Sequence, residues 1–403
     1  MLPATILLYH HDSLLLNFDG TVLQLEEQTH GFAVILDRTA FYPEAGGQGA
    51  DHGRLGSFRV RDVQIDEQGV VRHFINTTDN ERPSLGASMT GVIDEERRRF
   101  FMAHHTGQHM LSSAFDNLLG AVTISAHLGE ERSTIDVSKQ GLTAAQLQQV
   151  ETYVNEAIIR DLDVKAYFPS AAELETLPLR KRPKVASNIR IVEIASFDLV
   201  PCGGTHCTHT SQVALVKIIG AESYKGMTRI SFVAGRKAQQ LLGSSFDEFS
   251  RLARHLGCGM ESCRDTLLKQ QKSLTEAREL SGRLASLLAE HMVPTLLAQA
   301  GSDRIIGEFE NMDREFLRRI ASKIVAAGQN IAFLASRQPE GVAVLVASSK
   351  EAKFDCGRFF KAVAAAVSGR GGGRAEHAEG VLPQDCSWRL LVEEYHIAGR
   401  TGL

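Results

Sequence analysis

His105-Thr106-Gly107-Gln108-His109 and Cys202-Gly203-Gly204-Thr205-His206 are the two stretches from which the chain is read outward. In the first, the two histidines stand i, i+4, a spacing that puts both rings on one helix face about one turn apart. Thr106 occupies the place where a zincin motif carries its general-base glutamate, so the zincin pattern is not met. In the second, two glycines let the chain fold tightly, so that Cys202 and His206 can reach the same ion. Three imidazoles and a thiolate make a plausible tetrahedral zinc set of His105, His109, Cys202 and His206. His104 projects about 100° away around the helix. Cys207 and His209 flank the second motif, and either could replace a ligand, support one or simply pack nearby. Four protein ligands fit a closed structural site, and zinc can also become five-coordinate in catalysis; the residues leave both open.

Around these motifs the sequence reads as α+β. Over residues 1–92, short apolar runs such as Thr5–Tyr9, Ser13–Leu16, Gly31–Leu36 and Gly69–Phe74 are punctuated by turns, which predicts a small β-barrel. Within it, the paired glycines of Phe41-Tyr42-Pro43-Glu44-Ala45-Gly46-Gly47-Gln48 imply a tight loop with Glu44 and Gln48 at its tips. Over 93–240 an α/β zinc-binding domain is expected, with a helix from about Asp94 to Gly120, a strand at Ser133–Val137 and a helix opening at Thr143. Further strands are expected at Ile189–Val192 and Val213–Ile218. Over 241–403 a helical and α/β region follows. Leu267, Leu274, Leu280, Leu284, Leu287 and Leu288 predict one long helix whose stripe packs on its own domain or forms a hairpin or dimer seam. Gly369-Arg370-Gly371-Gly372-Gly373-Arg374 reads as a loop.

The bulk composition narrows the class. The chain has 403 residues, 43% hydrophobic and 23% charged, enough for two or three globular domains. A formal net charge of −4 means that any nucleic-acid contact must come from local patches. Arg180, Lys181, Arg182 and Lys184 form one such tract, with Lys217, Lys225 and Arg229 as further cations; a solvated loop is the plain alternative. Six scattered cysteines predict reduced thiols and a cytoplasmic protein, and neither a leader nor a membrane span is expected.

The two metal motifs resemble the editing domain of alanyl-tRNA synthetase and its free-standing relatives, the AlaX-type alanyl-tRNA editing proteins. The Phe41–Gln48 loop, the segment Ser125–Glu130 and Ser133–Asp136 are similar to the same family, and Gly371–Arg374 resembles the glycine-rich loop of the DHHA1-type domain that ends the synthetase. The chain opens at the barrel, so a long-form trans-editing protein without the aminoacylation domain is expected. The resemblance implies Zn2+ on His105, His109, Cys202 and His206. It further implies hydrolysis of misacylated tRNA(Ala), chiefly seryl-tRNA(Ala) and secondarily glycyl-tRNA(Ala). Thr123 lies where the family places a pocket threonine able to bind the serine hydroxyl. Gln108 and Gln48 could meet substrate or make structural hydrogen bonds; His105, His109, Gln108 and Thr123 form the expected catalytic group. Arg370 and Arg374 would meet tRNA, and the C-terminal domain would support a homodimer. A tRNA-binding protein with a structural zinc is the main competitor. A phosphoesterase is a third reading, disfavoured because no Asp-His-His motif is evident.

Overall fold

Alternating burial along Phe58–Ile65 and Val71–Asn76 gives these strands one apolar face each. A sheet with one apolar face must bury it, and here it does so by closing on itself. Six strands form the barrel in the order Asn17–Gln28, Gly31–Leu36, Val71–Asn76, Phe58–Ile65, Gly53–Leu55 and Ser88–Ile93, with Val34, Leu36, Leu55, Val60, Val63 and Val71 filling the interior. The computed structural model describes residues 2–29, 31–77, 82–183 and 188–399. Of the apolar runs expected as strands, one is cut short and one is absent. Of Thr5–Tyr9 only Ile6–Leu7 is extended, and Leu8–His10 turns into a 3-10 helix; Ser13–Leu16 carries no strand. The cause is local: Leu8 O accepts from the amides of His11 and Asp12, and the Asp12 carboxylate accepts from the Leu14 amide.

Asp94 caps the helix α1, Glu95–Leu119, by accepting from the Arg97 amide, and left-handed Gly120 ends it. α1 is buried from Phe101 to Phe115. It lies against an antiparallel sheet ordered Val216–Tyr224, Met227–Ala234, Ser133–Val137 and Thr123–Leu128. The helix Ala144–Ile159 starts at Thr143 with a reciprocal Thr143–Gln146 capping box. A second, three-stranded sheet runs Val164–Tyr167, Ile191–Ile194, Asp198–Pro201. The strand expected at Val213 begins at Val216, because Thr210–Val213 forms a 3-10 turn and Ala214 sits at φ 60°.

Contacts divide the chain into two compact units, Met1–Arg251 and Leu252–Leu403. The second is led by the helix Cys263–Ala300, which buries Ala289 and Val293 in a core with Phe316, Ile320 and Leu345. Its leucines at 267, 274, 280, 284 and 287 stay exposed. A five-stranded sheet follows, ordered Arg304–Glu310, Ile331–Gln338, Gly341–Ser348, His377–Leu382, Arg370–Arg374. The glycine-rich segment is therefore an edge strand and not a loop. A Cβ at Gly371 would run into the Glu379 carbonyl, the Gly380 backbone and the Phe360 ring, so the glycines let the strand and its neighbour close under the helix Cys356–Ala366. No helix among the described residues is long and apolar enough to cross a membrane.

Candidate metal centre and cleft

The spacing 105, 108, 109, 112 aligns His105, Gln108, His109 and Ser112 on one face of α1. The turn after the strand Asp198–Pro201 brings Cys202 and His206 to that face. The ligand atoms of His105, His109, Cys202 and His206 lie within 4.8 Å of one another. Cys202 Sγ is 3.3 Å from His105 Nε2 and 3.3 Å from His206 Nε2. The edge of a tetrahedral Zn–S/Zn–N site is roughly 3.6 Å, so the donors stand close to what one cation needs.

Hydrogen bonds behind the rings fix which nitrogen faces inward. His105 Nδ1 donates to Gln48 Oε1 at 2.7 Å, leaving Nε2 toward the cluster. Gln48 in turn donates through Nε2 to Thr205 Oγ1 at 2.8 Å. The barrel loop thus braces both motifs, and Gln48 is a structural residue, fully buried. His206 Nδ1 pairs with Thr106 Oγ1 at 3.3 Å, and the same hydroxyl accepts from the Cys207 amide. Burial pushes His105 and His206 well below the usual imidazole range and His109 down to about 3, so all three rings are neutral donors. Burial pushes the Cys202 thiol up, against a hydrogen bond from the Gly204 amide that lowers it.

The neighbouring candidates fall outside this set. His104 donates from Nδ1 to Phe100 O and accepts at Nε2 from the Ala234 amide, so both nitrogens tie α1 to the sheet. Cys207 is packed in the apolar core, and His209 is half-exposed beside Asp163.

The cluster opens on a cleft of about 630 Å³. Gln108 Nε2 donates to Ser112 Oγ at 2.8 Å, and Thr123 Oγ1 donates to the same oxygen at 2.8 Å, forming a polar wall beside His105 and His109. Arg180, Lys181, Arg182 and Arg190 also line the cleft, and no carboxylate does among the described residues. Arg180 is not free of partners: it grips Asp198 through Nε at 2.6 Å and Nη2 at 3.0 Å. Lys181 and Arg182 are exposed, and Lys184 lies outside the described residues. Lys217 is paired with Glu151 and Arg229 with Asp136, while Arg370 and Arg374 are exposed on the edge strand of the other unit.

Sequence reading missed Ser112, Arg190 and Asp198. Ser112 could have been found as the next i, i+4 position after Gln108. Arg190 stands alone in the apolar run Ile189-Arg190-Ile191-Val192, and it holds the ligand loop by donating to Cys202 O and Gly204 O. Gly204 has no room for a side chain, since an added Cβ would strike the His105 ring. Gly204→Ala is expected to displace that ring and weaken Zn2+ binding by at least about tenfold, read by competition with a chromophoric chelator.

Residues 189–231 match the family model for the threonyl and alanyl tRNA synthetase second additional domain, and residues 11–97 match that for class II (A) tRNA synthetases. An alanine–tRNA ligase of Methanopyrus kandleri is 29% identical over 398 residues, covering 94% of this chain and 43% of that protein. One from Herpetosiphon aurantiacus is 30% identical, covering 91% of this chain and 45% of that protein. The chain thus spans under half the length of the curated relatives it matches. The crystal structure of the C-Ala domain of Aquifex aeolicus alanyl-tRNA synthetase matches 23% of this chain at 26% identity, but its TM-score of 0.22 carries no structural argument. Matched along nearly all of its own length, this chain is a relative of the alanyl-tRNA synthetases.

Proposed function

We propose that the protein is a Zn2+-dependent deacylase of misacylated tRNA(Ala), acting chiefly on seryl-tRNA(Ala) and secondarily on glycyl-tRNA(Ala). The observation that carries this reading is the joining of a three-histidine, one-cysteine cluster to a cationic cleft with a hydroxyl-lined wall. In this reading residues 1–92 form the barrel, 93–240 the editing domain and 241–403 the C-terminal domain, whose exposed leucines suit a homodimer. Arg370 and Arg374, exposed on the edge strand of the last of these, would meet tRNA phosphate.

His105, His109, Cys202 and His206 would hold the ion, which when bound supplies Lewis-acid polarisation of an ester carbonyl or activation of water. Lys181 and Arg182 would meet the phosphates of the acceptor end. The Gln108–Ser112–Thr123 chain would present polar atoms to the hydroxyl of a seryl group. An alanyl group leaves such atoms unpaired, at a cost of about 1–3 kcal/mol. Thr123→Val keeps the shape and removes the hydroxyl. It is expected to lower seryl-tRNA(Ala) hydrolysis by roughly tenfold, with little effect on residual alanyl-tRNA(Ala) hydrolysis.

The test is deacylation of seryl-tRNA(Ala) beside alanyl-tRNA(Ala) by folded, Zn2+-loaded protein. Rapid loss of serine alone supports the proposal. No hydrolysis would move the weight to a tRNA-binding role with a structural ion, a reading that the four-donor set favours.

A further inference from the structure

The partners of His105 and His206 leave one question at the cluster: what orients His109? Its Nδ1 is buried and, among the described residues, has no hydrogen-bond partner. The atom facing it is Asp198 Oδ2, 3.6 Å away. That is roughly 0.7 Å beyond a normal N–H···O bond, a gap that a small turn of the ring closes. The Asp198 side chain is 1% exposed. Such a carboxylate is costly to bury unless paired, and its pairing is the two-point grip of Arg180. Asp198 begins the strand Asp198–Pro201 that delivers Cys202, whereas His109 belongs to α1. The carboxylate thus stands where the two ligand-bearing segments meet.

We infer that Asp198 is the positioning residue for the metal ligand His109, and that Arg180 holds Asp198 in place. In this arrangement His109 Nδ1–H donates to Asp198, which fixes the tautomer with Nε2 toward the ion and makes the ring a better donor. Arg180, at the rim of the cleft, acts through Asp198 and not on phosphate. The inference rests on the metal-site part of the proposed function and not on its substrate.

The experiment is Zn2+ affinity of the full chain by chelator competition, together with the visible spectrum of the Co2+-substituted protein. Asp198→Asn is nearly isosteric and is expected to lose about 10- to 100-fold in affinity, with altered Co2+ bands. Arg180→Gln leaves the carboxylate but frees it, and is expected to lose several-fold; Arg180→Lys, which keeps one charged hydrogen bond, should recover part of that loss. A merely structural role would lower the melting temperature of the metal-free protein while leaving affinity and spectrum alone. Wild-type affinity and spectrum in folded Asp198→Asn would overturn the inference, and the same result in Arg180→Gln would do so should Asp198→Asn not fold. If Asp198 governs affinity while the wild type hydrolyses no seryl-tRNA(Ala), the substrate reading fails and this inference stands.

Discussion

Cys202→Ala is expected to release the metal and to lower seryl-tRNA(Ala) hydrolysis by about a thousandfold or more, roughly 4 kcal/mol of transition-state stabilisation. The size follows from where the sulfur sits. It is the common neighbour of His105 Nε2 and His206 Nε2, 3.3 Å from each, so removing it opens two sides of the cluster at once. It is also the only donor of the four that binds as an anion. Three neutral imidazoles remain, and they repay less of the desolvation of a divalent ion. Without cation the thiol is held protonated by burial, so binding must expel a proton, and affinity should fall as pH falls. The measurement is metal content by elemental analysis beside deacylation, with circular dichroism to establish that the variant is folded. A folded, metal-free Cys202→Ala that hydrolyses at the wild-type rate would remove the ion from the mechanism.

The clustering of His105, His109, Cys202 and His206 is legible because their spacing is a property of local geometry. An i, i+4 pair shares a helix face whatever the fold, and a Cys-Gly-Gly-Thr-His turn brings its ends together by itself. The cap residues Asp94, Thr143 and Gly120 were legible for the same reason, each acting within its own turn. What remained hidden depends on partners far along the chain. Arg180 reads as one cation in a basic tract until the strand at Asp198, eighteen residues on, places a carboxylate against it. Gln48 reads as a loop tip until His105 and Thr205 close on it from 57 and 157 residues away. The glycine-rich segment 369–374 reads as a loop because glycine signals a turn and also permits a close strand; its antiparallel pairing with the strand His377–Leu382 decides between them.

Loss of either partner in the buried pair Arg98–Asp51 is expected to destabilise the first unit by about 3–5 kcal/mol. Both side chains are fully buried. Arg98 grips Asp51 and also donates to Ser13 O and Ala40 O, each at 2.6 Å, while Asp51 accepts from the Tyr42 amide at 2.7 Å. Asp51, Ala40 and Tyr42 belong to the barrel and its loop, and Arg98 to α1. Arg98 stands seven residues before His105, two turns away on the same face, so this pair sets how the ligand face of α1 meets the barrel. Arg98→Met leaves a buried carboxylate and two carbonyls without their donor; Asp51→Leu leaves a guanidinium with no countercharge. The double variant strands neither charge, so its cost should fall below the sum of the two singles by at least about 1 kcal/mol. Chemical unfolding of all four proteins, followed by a probe in the first unit, checks this. Single variants costing under about 1 kcal/mol, or strictly additive costs, would show that barrel and helix are joined by apolar packing alone. In the expected case Zn2+ affinity should fall with stability in the single variants, because His105 depends on Gln48, and Gln48 sits three residues before Asp51 on the loop that the pair anchors.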